Sequence, residues 1–184
     1  MKLPKSAKRV FKGIIFDVYH WKQKMFDGSY DTFEALKRPN TVEVISVVGD
    51  KILIARQKQP TYSYIYSFFG GRQEPGETPL ATGKRELLEE AGLKSDDWEL
   101  FKVYGFINKI VYQVYIYIAR DCKKAAKPVL DPGEKMSYKL VSFDELIKII
   151  AGDNFWFSGF ALDIFKMKDT GKLGEFKKKL FLKR

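Results

Sequence analysis

Residues 70–93, GGRQEPGETPLATGKRELLEEAGL, form the stretch that decides the fold of this chain. The stretch contains five glutamates, although the whole chain carries a net charge of +10. Carboxylates so close together repel one another near neutral pH unless a positive charge lies among them. The candidates for that charge are the neighbouring cations Arg72, Lys84 and Arg85, or a bound divalent metal ion.

The second half of this stretch has the signals of a helix. Residues 80–91 have a helix-forming composition, Pro79 suits the first turn, and Thr78 suits the N-cap position. Gly92 is typical of the residue that ends a helix. The five glutamates are therefore predicted to lie partly in a loop and partly on a helix.

On that helix three acids share one face. Glu86 and Glu90 are four residues apart and Glu89 is three residues after Glu86, so all three project within one turn. Hard divalent cations such as Mg²⁺ prefer oxygen ligands of this kind, completed by water and substrate phosphates. The glycine pair Gly70-Gly71 lets the backbone turn and present a carbonyl oxygen to a ligand. The combined pattern predicts a site for a divalent cation.

The rest of the chain reads as strands with helices set between them. The region 10–47 is predicted to begin with a hairpin that turns at Asp27-Gly28, and a second hairpin turns at Gly49-Asp50. A third pair of strands follows the acidic helix, and Ser142 is predicted to cap a later helix. This order of elements predicts an α+β fold in which helices cover a sheet on both sides.

Composition limits the class of protein. Apolar residues make up 45% of the chain and aromatic residues 15%, which is enough for one packed domain. The sequence contains neither a long uncharged apolar run nor a secretory signal at its start, so a cytoplasmic protein without membrane contact is expected. One cysteine excludes an intramolecular disulfide. The excess of basic residues, 33 against 23 acids, favours polyanionic ligands such as nucleotides, nucleic acid or an anionic surface, and composition alone does not choose among them.

The spacing within residues 71–93 resembles the Nudix box. Its positions here are Gly71, Glu77, Arg85, Glu86, Glu89, Glu90 and Gly92. The resemblance implies a Nudix fold, an α/β/α sandwich around a mixed sheet with an N-terminal strand hairpin. It also implies Mg²⁺- or Mn²⁺-dependent hydrolysis of a nucleoside diphosphate linked to another group.

The resemblance assigns roles to residues of the box. The metal ligands it implies are Glu86, Glu90, Glu89 and the backbone carbonyl of Gly70. Glu89 is alternatively the base that acts on a metal-bound water. Arg85 is counted with the candidate catalytic residues and is expected to support the site by pairing with Glu77.

A more diffuse similarity, over about residues 9–165, is to the ADP-ribose pyrophosphatase group. It implies that a late acidic loop supplies a catalytic carboxylate, for which Glu134 is the best match and Asp131 the second. The substrate-binding candidates are Phe16, which would stack on adenine, and Arg38 and Arg56, whose guanidinium groups suit phosphate or ribose oxygens. It further implies a homodimer, in which residues 1–40 are the dimer-forming hairpin segment and residues 41–184 the Nudix hydrolase domain.

The substrate class stays open at this point. The chain has Gln59 where that group frequently has a second arginine, and Phe69 where proline is usual. The leading expectation is hydrolysis of ADP-ribose or a related ADP-sugar to AMP and a sugar 5-phosphate. The alternatives are a dinucleoside polyphosphate, NADH, a flavin dinucleotide or a nucleoside triphosphate as substrate. A non-catalytic nucleotide- or RNA-binding module is a further alternative, but the complete acid set makes nucleic acid an unexpected partner.

Overall fold

The computed structural model describes residues 2–105, 109–130 and 132–182. Asp131, the second choice for the loop acid, lies outside the described residues. The helices are α1 (Pro79–Ala91), α2 (Phe143–Ile150), α3 (Ser158–Asp169) and α4 (Leu173–Leu180). The strands are β1 (Lys8–Lys12), β2 (Asp17–Lys24), β3 (Tyr30–Lys37), β4 (Thr41–Val48), β5 (Lys51–Gln59), β6 (Tyr62–Ser67), β7 (Phe69–Arg72), β8 (Leu93–Lys94), β9 (Asp97–Gly105), β10 (Ile110–Val111), β11 (Gln113–Arg120), β12 (Lys123–Lys124) and β13 (Lys135–Val141).

The central sheet has seven strands and is mixed. Its order is β13-β5-β4-β11-β9, with β6 paired to β5 and β7 paired to β4. Strands β4 and β11 are parallel, whereas β4 and β5 form the predicted antiparallel hairpin. The predicted α+β fold with a mixed sheet is therefore confirmed.

Helices cover both faces of this sheet. On one face Ile45, Ile54 and Ile116 belong to a core shared with residues of α2, α3 and α4. On the other face Val42 and Val44 belong to a second core that includes residues of α1. Alternate residues of each strand point to opposite faces, so one strand supplies both cores. The result is the expected α/β/α sandwich.

Strand β4 divides its hydrogen bonds between two partners along the same edge. Its first half pairs with β7, and its second half pairs with β5. The pairing with β7 places Glu43 opposite Gly70 and Val42 opposite Gly71. The pairing of β4 with β7 therefore places the glycine pair next to β4, in the middle of the sheet.

Helix α1 begins and ends as predicted. The hydroxyl oxygen of Thr78 accepts the N–H of Ala81 at 3.2 Å, and Gly92 adopts φ 66°, in the left-handed region that favours glycine. Within the helix Gly83 lies against the sheet, where an added Cβ would stand 3.2 Å from the Val42 side chain. Glycine at this position lets the acidic helix approach the sheet closely.

The N-terminal strands form a separate sheet. The predicted hairpin consists of β2 and β3, joined through a turn in which Ser29 donates to the Asp27 carboxylate. Strand β1 adds on one side and the short strand β10 on the other, so the sheet has four strands. The exposed apolar residues of this part of the chain are Val10, Phe11, Ile14, Ile15, Phe16, Phe26 and Tyr30.

The buried side chain of Arg120 connects helix α4 to the sheet. Arg120, only 3% exposed, forms ion pairs with Asp97 at 3.1 Å and Glu99 at 2.5 Å. Its Nε also donates to the backbone carbonyl of Lys179 at 2.8 Å. The guanidinium therefore connects β9, β11 and α4.

In the described part of the chain, no helix is long and apolar enough to cross a membrane.

Candidate active site

Arg85 supplies the positive charge among the glutamates. Its Nε donates to Glu77 Oε1 at 2.9 Å, which is the pair expected from the sequence. Its Nη1 donates to Glu86 Oε1 and to Glu89 Oε2, each at 2.9 Å. Its Nη2 donates to the backbone carbonyl of Arg72 at 3.1 Å. One guanidinium thus connects the loop, the end of β7 and two acids of the helix.

Glu77 is the best-satisfied acid of this group. Besides Arg85, its carboxylate accepts the hydroxyl of Thr82 at 2.7 Å and the N–H of Glu74 at 3.1 Å. The hydrogen bond from Arg85 is the main cause that lowers the Glu77 pKa to about 2. Glu77 therefore holds the loop on the helix as a carboxylate over a wide pH range.

A pH-dependent loss of stability is expected from this pair. Because the folded-state pKa of Glu77 lies below its ordinary value of 4.5, the charged form stabilises the fold above that value. This contribution falls as the pH drops from about 4.5 towards about 2. We expect Glu77→Gln to have a lower free energy of unfolding than the parent near neutral pH. The difference between the two proteins is expected to decrease as the pH falls from about 4.5 towards about 2.

Urea unfolding of both proteins at several pH values measures this difference in the free energy of unfolding. A difference that stays constant from neutral pH down to about pH 3 would show that the charge of Glu77 contributes nothing.

Glu90 lies in a different environment from its neighbours. It is only 7% exposed, and its Oε2 accepts the backbone N–H of Gly70 at 2.8 Å. Burial raises its pKa to about 9, and repulsion by Glu86, Glu134 and Glu43 adds to the effect. Within the described residues, none of the hydrogen bonds of Arg85 reaches this carboxyl group. Glu90 is thus a buried acid whose charge the protein only partly compensates.

Glu86 combines features of Glu77, which Arg85 binds, and of Glu90, which is buried. Arg85 holds one of its oxygens, yet burial raises its pKa above the ordinary value. The charges of Glu89 and Glu134 raise it further. Glu134 lies in the loop before β13, so this loop places its acid beside the helix acids. A catalytic role for Glu134 stays a prediction.

The glycine pair lies in close contact with the acids. A Cβ added at Gly71 would stand 2.3 Å from Glu86 Oε1, so a larger residue would displace that carboxylate. A Cβ added at Gly70 would stand 1.9 Å from the backbone oxygen of Val42. Glycine at position 70 is therefore required by the packing of β7 against β4, whereas glycine at position 71 leaves the Glu86 carboxylate in its place.

Sequence reasoning missed Glu43. This residue of β4 is 6% exposed, and burial followed by repulsion from Glu86 raises its pKa to about 8. The sequence did contain a signal for this residue. Glu43 is the one charged residue in the run TVEVISVV, in which most residues are apolar or β-branched. A charged residue inside a buried strand is rare unless it is paired or binds a ligand.

Arg38 and Phe16, two of the candidate substrate-binding residues, lie together. The guanidinium carbon of Arg38 is 5.8 Å from the Phe16 ring centroid and 4.8 Å from that of Tyr112. Burial lowers the Arg38 pKa, and the nearby charge of Arg72 lowers it further. Within the described residues, the buried Nε of Arg38 has no hydrogen-bond partner. Tyr112 was not predicted, because only the fold brings it next to Arg38.

A cavity of about 270 Å³ lies beside Arg38. It is lined by Lys37, Arg38, Pro39, Asn40, Gln73, Glu74 and Pro75. It reaches from the end of the N-terminal sheet to the loop held by Glu77. A second cavity, of about 460 Å³, is lined by Gln59, Pro60, Pro132, Gly133 and Glu134. The first cavity thus adjoins the loop that precedes α1, and the second includes the loop acid Glu134.

Arg56 is not brought to the acids. Its neighbour Ala55 belongs to the core on the α1 side, whereas Ile54 belongs to the core on the other side. Strand alternation therefore directs Arg56 to the face opposite α1. Its guanidinium lies over the Tyr64 ring at 4.4 Å. A role for Arg56 in substrate binding stays a prediction.

The donor atoms around Glu90 suit a hard divalent cation. Carboxylates from α1 and from the loop at Glu134 repel one another here, and a cation among them would offset both repulsion and burial. In this arrangement, no group of three or more His, Cys, Asp or Glu side chains within the described residues is placed to hold a metal ion. Arg85 draws Glu86 and Glu89 towards itself instead. The chemistry of the donors fits a cation, and binding would require these side chains to move.

Comparison with known proteins agrees with this geometry. The chain is 26% identical to the ADP-ribose pyrophosphatase of Bacillus subtilis (strain 168) over 152 residues, which cover 79% of this chain and 80% of the relative. It is 23% identical to the methanol dehydrogenase activator of Bacillus methanolicus over the same length and the same shares. The fold is that of a solved ADP compounds hydrolase, with a TM-score of 0.72, 21% identity and coverage of 91% of this chain and 95% of the other. Residues 37–157, well over half of the chain, match the NUDIX domain, and the chain therefore belongs to the NUDIX family and is a Nudix pyrophosphohydrolase.

Proposed function

We propose that this protein uses a divalent cation, Mg²⁺ or Mn²⁺, to hydrolyse the diphosphate of ADP-ribose or a related ADP-sugar to AMP and a sugar 5-phosphate. The observation that carries the proposal is the group of largely buried, mutually repelling carboxylates of Glu86, Glu90 and Glu134 beside the glycine pair of β7. The name of the Bacillus subtilis relative supports the substrate class.

The residues that would hold the cation are Glu86, Glu90 and the backbone carbonyl of Gly70. When bound, the cation supplies charge neutralisation of the diphosphate and a more acidic water. Arg85 fixes the acidic helix and the loop relative to β7 and so keeps these donors in one place. Arg38 and Arg72, whose charges lie close to one another, would attract the anionic substrate.

Two acids are candidates for the base that takes a proton from the attacking water. Glu89 is bound by Arg85 and is about half exposed. Glu134 lies in the loop that faces Glu86 and Glu90, beside the larger cavity. We infer that Glu134 is the base and that Glu89 supports the site, because Glu134 lines the cavity of about 460 Å³ whereas the Glu89 carboxylate is bound by Arg85.

The proposal is tested by identifying the products. We expect purified protein with Mg²⁺ or Mn²⁺ to convert ADP-ribose to AMP and ribose 5-phosphate, and excess chelator to abolish the reaction. ATP, NADH, FAD and diadenosine polyphosphates are compared under the same conditions by chromatography. Turnover of ADP-ribose no faster than that of the triphosphate would overturn the substrate assignment. No hydrolysis of any of these compounds would overturn the enzymatic assignment.

Gly71→Ala is expected to lower kcat/KM for the preferred substrate by roughly 10- to 100-fold, because misplacing a reacting group by about 1 Å has effects of this size. The new methyl group would occupy the position of Glu86 Oε1, and that side chain can rotate away without disturbing the fold. Gly174→Ala is the control, since a Cβ there meets no neighbouring atom within 4 Å.

Kinetics and urea unfolding of both variants provide the test. If Gly71→Ala keeps full activity while its stability is unchanged, the close approach of Gly71 to Glu86 has no role in the site.

We also infer that the N-terminal sheet pairs with that of a second copy. Strand β1 and the turns on either side of β2 expose Phe11, Ile14 and Phe26 together with other apolar residues, and monomeric proteins seldom leave so much apolar surface uncovered. Light scattering is expected to give twice the chain mass of 21.3 kDa. The double variant Ile14→Asp and Phe26→Asp is expected to be monomeric. A monomeric parent protein would refute this inference.

A further inference from the structure

Three exposed cations share one face at one end of the central sheet. Strand alternation places Arg56 and Lys58 of β5 on the face opposite α1, because Ala55 belongs to the core on the α1 side. Lys135 of β13 pairs directly with Lys58, so its side chain leaves the sheet on the same face. The Cα atoms of such a cross-strand pair are about 5 Å apart, and those of alternate residues along a strand about 7 Å. The three side chains therefore form a compact group.

An aromatic ring of the neighbouring strand β6 contacts two of these cations. The guanidinium carbon of Arg56 is 4.4 Å from the ring centroid of Tyr64, and Nζ of Lys58 is 5.7 Å from it. Both distances are short enough for a cation–π interaction. Tyr64 itself is 41% exposed. Attraction to one ring thus holds two positive groups beside each other at the surface.

Acidic side chains do not balance this group. Within the described residues, Arg56, Lys58 and Lys135 form no ion pair with an acid. By contrast, Lys139, the next lysine on this face of β13, pairs with Glu145 at 2.8 Å. Like charges directly opposite each other on neighbouring strands are destabilising. The pairing of Lys58 with Lys135 therefore opposes folding, and a bound anion would offset this cost.

Protection of a sheet edge explains only part of the group. Lysines on an edge strand prevent pairing with other chains, and β13 lies at the edge of the central sheet. This reason applies to Lys135. Strand β5 is paired on both sides, with β13 and with β6, so Arg56 and Lys58 do not lie at an edge. Edge protection therefore does not account for their charges.

We propose that Arg56, Lys58 and Lys135 form an anion-binding site for the phosphate or diphosphate group of a small ligand, on the sheet face opposite α1. Guanidinium and ammonium groups both bind phosphate oxygens, and three of them so close together suit one diphosphate group better than a long polymer. The net charge of +10 favours anionic ligands in the same way. The inference does not depend on the proposed function, because it requires neither the acids of α1 nor a divalent cation.

The test measures anion binding without divalent cations. Inorganic pyrophosphate and ADP are each titrated into isotopically labelled protein in the presence of EDTA, and the backbone amide signals are followed by NMR. We expect saturable changes at residues 56–58, 64 and 135, while the signals of residues 86–90 stay unchanged. If neither ligand produces saturable changes at the first group of residues, the proposed site does not exist.

A double variant tests the cations themselves. Changing Lys58→Gln and Lys135→Gln together is expected to raise the dissociation constant of pyrophosphate about tenfold or more, because charge-assisted hydrogen bonds are lost. The matched control changes Lys166→Gln and Lys168→Gln, which removes two exposed positive charges from the last turn of α3. Its dissociation constant is expected to stay within about twofold of the parent value, since exposed charges on another element are screened.

Thermal unfolding checks that the double variant is folded, and its midpoint is expected to stay close to that of the parent because the changes are at the surface. A folded Lys58→Gln and Lys135→Gln variant that binds pyrophosphate as tightly as the parent would refute the site. A short single-stranded RNA is the third probe. If it binds at these residues about tenfold more tightly than ADP, contacts along a nucleic-acid strand explain the cations and the assignment to a small ligand is wrong.

Discussion

Glu90→Gln is expected to lower kcat for ADP-ribose by roughly 100-fold or more while leaving the fold intact. Glutamine keeps the shape of the side chain and an oxygen that accepts the N–H of Gly70, so the contact between α1 and β7 remains. It removes the negative charge that would hold a divalent cation. Because burial already disfavours the charged form of Glu90, the stability of the variant is expected to equal or exceed that of the parent.

The measurement is steady-state hydrolysis of ADP-ribose at saturating Mg²⁺, with urea unfolding alongside. Glu175→Gln is the matched control, since Glu175 is exposed in α4 and its side chain makes no hydrogen bond within the described residues. Its kcat is expected to match that of the parent. Unchanged kcat in Glu90→Gln would mean that Glu90 holds no metal ion, and the proposed mechanism would have to be abandoned.

Arg120→Met is expected to lower the free energy of unfolding by about 3 kcal/mol, because Asp97 loses its ion pair with a buried guanidinium and Glu99 keeps only its pair with Lys179. Asp97 and Glu99 would lose the guanidinium that lies between them, and the carbonyl of Lys179 would lose its donor. Methionine fills much of the same volume, so the loss arises mainly from charge and hydrogen bonding. Helix α4 is expected to detach from the sheet more easily.

Lys123→Ala provides the comparison for this effect. Lys123 pairs with Asp121 at 2.8 Å, but both side chains are about three-quarters exposed. A surface pair of this kind contributes about 0 to 1 kcal/mol. Urea unfolding measures both variants. Similar losses in the two proteins would show that the buried position of Arg120 does not matter.

Local signals in the sequence were sufficient for the acidic helix. Its cap at Thr78, its end at Gly92 and the shared face of its glutamates all depend on residues within a few positions of each other. The pairing of Arg85 with Glu77 was also predictable, because it follows from the family spacing. Hairpin turns at Asp27-Gly28 and Gly49-Asp50 are similarly local.

Contacts between distant segments could not be predicted in this way. The electrostatic effect of Glu43 on Glu90 depends on the pairing of β4 with β7, which the alternation of apolar residues does not reveal. The meeting of Arg38 with Tyr112 and the anchoring of α4 by Arg120 likewise join parts of the chain far apart in sequence. The packing of Arg56 over the Tyr64 ring likewise follows from the fold, and its role in substrate binding stays a prediction.

The acidic helix, the glycine pair before it and the class of chemistry could be inferred from the amino-acid order alone, because each depends on residue types at short, regular spacing. Which charges meet depends on how distant segments pack. Arg85 forms ion pairs with Glu77, Glu86 and Glu89, while Glu90 is left buried near Glu43 and Glu134. The physical reason is that electrostatic energy depends on distance through space and on exclusion of water, and both arise only when the strands and helices pack.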